Sequence, residues 1–286
     1  MVWRPDLQPL NLVGEGATIM GCPPGPAGTG PVGNRFKVGF FISSNASGSS
    51  IRGFVFDGIG FSETNRSPLA VGVQSQNGAN NLLVDSNTFK GGGFGVVVVG
   101  GNYCQVTHNV FDGFTVLLSN AFGGAAILDY GLPPDFGGAG RVTGNIIQFN
   151  TIASTVPPGN YSSVSWIFDV DVPLAGIAVS GQDGTLISGN KFSITSNAHG
   201  DAGVGILAND FSLLTTINLA ITDNDGRDSQ YSLIITNDQF GQTGNSVGLT
   251  LRGNFGVNLI NGSTSNVGNR SIGTLLQCDP TTGVCP

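Results

Sequence analysis

Residues 81 to 114, "NLLVDSNTFKGGGFGVVVVGGNYCQVTHNVFDGF", state one pattern twice. Val84, Asn87 and Phe89 return as Val106, Asn109 and Phe111, and Asn109 lies 22 residues after Asn87. The shared template is an apolar residue, two residues, Asn, one residue, then Phe or Ile. It recurs at Val142-Asn145-Ile147 and at Ile187-Asn190-Phe192, and Ile51-Phe54-Phe56 fits with Phe in place of Asn. Ile221-Asn224 and Leu251-Asn254 are weaker copies, each followed by Gly where the aromatic belongs. A second short apolar run precedes most copies, at Val71 to Val73, Gly95 to Val99, Ala126 to Leu128, Gly176 to Val179, Gly203 to Leu207 and Leu233 to Ile235.

Self-similarity at a fixed period is the signature of a solenoid. The unit is short for a leucine-rich repeat and lacks that frame. Two or three strands per unit without a helix predict a β-helix, whose coils stack through parallel strands about 4.8 Å apart. Equivalent positions then stack along the axis. Val84, Val106 and Val142 are expected in one inward aliphatic ladder, and Phe89 and Phe111 in an aromatic one. Asn87, Asn109, Asn145 and Asn190 fall at a sharp bend, where Asn tolerates a left-handed backbone and its amide bonds the neighbouring coils.

Composition agrees. Of 286 residues 46 are Gly, 40% are hydrophobic and only 10% are charged, which suits strands joined by tight turns and excludes a disordered chain. The Gly excess has no collagen period. Net charge is −7 with 11 scattered Lys and Arg, so nucleic acid is excluded as a partner, and a polyanionic glycan is repelled unless a cation bridges it. No stretch reaches the roughly 18 apolar residues of a membrane span. Met1-Val-Trp-Arg-Pro5 lacks the order of a signal peptide, so a mature form or a fragment with an added Met is expected.

The pattern resembles the right-handed parallel β-helix of the pectin-lyase-like superfamily over roughly residues 10 to 270, and Leu10 to Ile19 looks like the first coil of such domains. The resemblance implies a single all-β solenoid. We expect about seven to eight coils over residues 1–270, with a C-terminal cap over 271–286. In that superfamily the fold carries polysaccharide lyases, hydrolases, epimerases, phage tailspikes and surface proteins, so the activity has to be argued from the site.

Repeat spacing places the extra residues after the Asn strand, at 61–69, 112–124, 151–174 and 193–202, where they are expected to stack into one loop wall. The richest loop holds Tyr161 and Trp166 for sugar stacking and Asp169 and Asp171 as acid, base or cation ligand. The alternative for it is a loop with its own small hydrophobic core and solvated aspartates. Asp201 is a further candidate catalytic carboxylate and His199 a candidate substrate-binding residue, although no G-H-G stretch or paired-aspartate motif accompanies them. Tyr130 is a candidate substrate-binding residue that, with Asp129 and Asp135, borders a further insertion at 131–140. His108 replaces Ser86 at a variable turn position and reads as a surface residue. Asp223-Asn-Asp225-Gly-Arg-Asp228 lacks the register of a calcium loop, so calcium has no motif behind it, and no cofactor is expected.

The four cysteines lean toward export. Cys278 and Cys285 flank a turn-rich segment suited to a terminal clasp, with Cys22–Cys104 as the complementary pair, and spacing alone does not establish the connectivity. None has metal spacing. Two functions emerge from this sequence. The first is a secreted or cell-surface protein that binds or cleaves a polysaccharide, as a lyase or a hydrolase, along a loop-walled groove. The second is a non-catalytic adhesive or filament-forming solenoid that self-associates through its coil ends.

Overall fold

The computed structural model describes residues 9–21, 37–61, 68–115, 124–156, 174–196, 203–208, 214–235, 248–261 and 275–278. Among them there is no α-helix, only strands and two short 3-10 turns, Ser44–Ala46 and Pro134–Phe136. The strands form three long parallel sheets. The first has eight strands, from Asn11–Val13 to Thr250–Arg252; the second has six, from Thr18–Met20 to Lys191–Ser196; the third has nine, from Val38–Ile42 to Leu275–Cys278. Each coil visits the sheets in turn, so the chain is a parallel β-helix of eight coils, numbered here from the N-terminus. Leu275–Cys278 extends the third sheet beyond the eighth coil, in register with Asn258–Asn261.

The repeat template maps onto this geometry. Its apolar residue lies at the centre of a first-sheet strand and points inward. Ile51, Val84, Val106, Ile147, Ile187, Ile221 and Leu251 stack as one buried ladder. Each such side chain contributes about 1.5–3 kcal/mol of burial. The aromatic lies inward on the second sheet, where Phe56, Phe89 and Phe111 stack face to face with centroids 4.7 Å apart. In coils 7 and 8 the template offers Gly226 and Gly256 instead, and the second sheet shrinks to isolated bridges through Asp225.

Coil 5 corrects the expected register. Val142-Asn145-Ile147 and Ile147-Asn150-Ile152 both satisfy the template, five residues apart. The structure uses the second frame: Ile147 joins the aliphatic ladder, Asn150 the Asn column, and Ile152 the place opposite Phe111. Val142 instead pairs with Gln182 in a small separate sheet. The Asn column thus runs Asn87, Asn109, Asn150, Asn190, Asn224, Asn254. Each Oδ1 from Asn109 onward accepts both the backbone N–H and the Nδ2 of the Asn one coil before, at 2.9–3.3 Å. Each Nδ2 also donates to a carbonyl of the preceding coil, as Asn150 does to Val106. The buried amides are therefore satisfied in a continuous chain.

The third sheet is buried on both faces, which is why its strands read as unbroken apolar runs. Val96, Ile127, Ile177, Ile206 and Leu233 face the core, while Val97, Ala178, Leu207 and Ile234 belong to a second cluster on the outer face. The glycines in these strands have a steric reason. A Cβ at Gly72, Gly95 or Gly176 would run into the ring of Phe89, Phe111 or Phe192, respectively.

Candidate functional site

The chain leaves the described structure between the second and third sheets at 62–67, 116–123, 157–173 and 197–202. The expected insertions therefore depart from one corner of the solenoid. Beside that corner a groove runs over the second sheet. One part, of about 400 Å³, is lined by Asp112, Thr115, Ala153, Thr155, Ser193 and Thr195 among others. The adjoining part, of about 260 Å³, reaches Ile59, Lys90 and Gly91 and shares Asp112, Gly113 and Thr115 with the first.

Strand alternation puts these side chains there. The residue after each inward aromatic points out, so Asp57, Lys90, Asp112, Ala153 and Ser193 form one register-matched row. Coils stack about 4.8 Å apart, so Lys90 lies between carboxylates on the coils before and after it. Two residues further along, Thr155 Oγ1 and Thr195 Oγ1 are 3.2 Å apart and continue the hydroxyl lining. The floor is fixed by backbone bonds from Gly113 N to Ala153 O and from Thr115 N to Gly92 O, and by Ser154 Oγ donating to Phe114 O at 2.6 Å. The groove thus offers one carboxylate at its centre, one amine, and several hydroxyls along an open trough. It can hydrogen-bond a polyhydroxylated chain over several coils.

Most of the residues singled out from sequence lie elsewhere. Tyr161, Trp166, Asp169, Asp171, His199 and Asp201 are outside the described residues. Tyr130 ends the strand Gly124–Tyr130, packs at the outer cluster of the third sheet, and does not line the groove. Burial there raises its phenol pKa. Cys104, expected to pair with Cys22, is a free buried thiol. Its Sγ turns toward the carbonyls of Ala79 and Asn102, and burial pushes the thiol up to about 12. Cys22 and Cys285 lie outside the described residues, and no disulfide occurs among those described. Asp225 is paired with Arg227 at 2.7 Å, Asn224 belongs to the Asn column, and no group of three His, Cys, Asp or Glu converges among the described residues. No helix among them is long and apolar enough to cross a membrane.

Lys90, Asp112, Thr155 and Thr195 escaped the sequence reading. The signal was present, because each lies one or three residues after a template aromatic or its Ile152 substitute. Only the correct register in coil 5 makes Thr155 and Thr195 equivalent.

Fold and groove together define a class, the parallel β-helix proteins with a lateral groove at a loop-bearing corner. Within that class no family model matches the chain, and neither a curated protein nor a solved structure shows significant similarity to it.

Proposed function

We propose that the protein binds a polysaccharide along the groove over its second sheet, outside the cell or at its surface. One observation carries this reading. Thr115, Thr155 and Thr195 line the groove at or just past the ends of second-sheet strands on three successive coils, the side on which the repeat spacing has the insertions leave. In this reading Tyr161 and Trp166 supply stacking surfaces, and Asp169, Asp171 and Asp201 join Asp112 as the carboxylates available for acid–base work. Glycoside hydrolysis needs such a pair about 5–10 Å apart.

The test is retention and cleavage of a panel of neutral and acidic polysaccharides, with and without Ca²⁺, followed through new reducing ends and unsaturated uronate absorbance. Retention is expected to fall about tenfold in Asp112→Ala/Thr155→Ala, the scale of one or two lost hydrogen bonds. Cleavage lost in Asp169→Ala/Asp171→Ala adds an enzyme to the binding protein. Retention of no polysaccharide sinks the proposal. It would favour the structural solenoid.

A further inference from the structure

Tyr103 and Phe149 are costly residues in costly places. Both adopt left-handed backbone, at φ 57° and 55°. That region is a true outlier for bulky side chains and costs on the order of a kcal/mol. In the column of Phe149 the other coils carry Gly53, Ser86, His108, Gly189, Asp223 and Gly253, all residues for which the turn is easier. Burial does not offset the cost, because Tyr103 is 57% and Phe149 52% exposed. A Cβ on Gly144 would approach the Tyr103 ring to 2.8 Å, and one on Gly189 the Phe149 ring to 2.7 Å. Each ring therefore rests over a bare glycine of the next coil.

The two rings bracket one face. Tyr103 stands at the entry to the first-sheet strand Gln105–Thr107, and Phe149 just after the strand Ile146–Gln148 of the next coil. His108 stacks on Phe149, with centroids 5.2 Å apart and planes 25° apart. Its Nδ1 is 3.1 Å from Asp85 Oδ1, which fixes the ring. Asp85 also accepts from Thr107 Oγ1 and Ser86 Oγ. Burial alone would raise its pKa, but these donors together hold it below the usual value. Asp85 thus stays a carboxylate whose oxygens are engaged by these donors. Between the rings lie Gln105 and Ile146, and the next outward row carries Asp85, Thr107, Gln148 and Ser188 in register. The nearest arginines of that row are Arg52 and Arg252, in coils 2 and 8.

We propose that this face of the first sheet, from Tyr103 to the His108–Phe149 pair, is a second saccharide site that takes an uncharged sugar chain laid along the strands. Rings half-exposed at both rims stack against the C–H faces of sugars. Thr107, Gln148 and Ser188 meet sugar hydroxyls, and the Asp85 carboxylate beside them repels a uronate. The inference rests on the saccharide reading above but uses a different face, so the two can fail separately.

His108 and His199 are the only histidines. In a His199→Gln background the ring resonances of His108 therefore report this face alone. The protein is titrated with cellohexaose, xylohexaose and hexagalacturonate. A neutral oligosaccharide is expected to shift His108, with affinity reduced about tenfold by Phe149→Ala, kept by Phe149→Trp and unchanged by Asp112→Ala. Binding that leaves His108 unmoved and is lost in Asp112→Ala overturns this inference and leaves the groove standing. A shift produced only by hexagalacturonate overturns the uncharged class. No binding of any oligosaccharide by His108 shift or calorimetry overturns both readings.

Discussion

The amide of Asn150 accepts two bonds from Asn109 and donates onward to Asn190 and to Val106. Asn150→Ala orphans the Asn109 N–H and one Nδ2 hydrogen, the other staying on Val84 O, among buried residues. We expect a loss of about 2–4 kcal/mol in urea denaturation, more than most single surface changes produce. Asp129 is the opposite case. It is 1% exposed, its carboxylate accepts from Asn145 Nδ2 at 2.9 and 3.1 Å, and the Gln182 amide, which bonds the Asp129 backbone carbonyl, also lowers its pKa. The titratable neighbour is the Cys104 thiol, and no cation faces it among the described residues. Burial pushes Asp129 up to about 7 from an ordinary 3.8. The folded state thus holds a proton that the unfolded state gives up, and stability is full below 3.8 and is lost as the pH rises through about 7. Thermal melts across that window are expected to slope downward in the native protein and to flatten in Asp129→Asn. A slope that persists in the variant would place its origin in another group. At this scale the sequence spoke clearly about the coil-to-coil bonding of Asn87, Asn109 and Asn190, whereas the left-handed backbone expected of them belongs to the preceding residues Ser86, His108 and Gly189. It set Asp129 beside an insertion with Tyr130 and Asp135, whereas the structure buries its side chain.

Among elements, the close approach of the second and third sheets sets the size of each inward residue. Phe111 in coil 4 fills the space left by Gly95 in coil 3. In coil 4 the equivalent of Gly95 is Ala126, and the next coil carries Ile152 in place of a phenylalanine. The pair has shrunk on one side and grown on the other. Gly95→Ala is accordingly expected to cost about 1–3 kcal/mol by overpacking, whereas Ala126→Gly costs about 1 kcal/mol or less. Equal effects at both sites in chemical denaturation would contradict the complementary packing. Strand identity and the parallel ladders were legible in the sequence, because burial on both faces writes apolar runs and the axial repeat writes the ladders. The register of coil 5 was not legible. Two frames five residues apart satisfy the same template, and only three-dimensional pairing of Asn150 with Asn109 and Asn190 decides between them.

For the whole molecule, eight coils bring residues far apart in sequence onto common axial rows, and the proposed function depends on that. Asp57, Lys90, Asp112 and Ser193 share the outward row of the second sheet only because each follows an inward residue of one ladder. Sequence reading placed the insertions after the second-sheet strands, and the loop with Trp166 lies outside the described residues. It missed the groove beneath, since a carboxylate and hydroxyls one per coil form no local motif. Hydrogen exchange with and without a retained polysaccharide tests the central claim most directly. Slowed exchange at the amides of 110–115, 151–156 and 191–196, with the third-sheet strands unchanged, is the predicted result. A polysaccharide that binds while those amides exchange at their free rate would contradict the account and move the ligand off the groove.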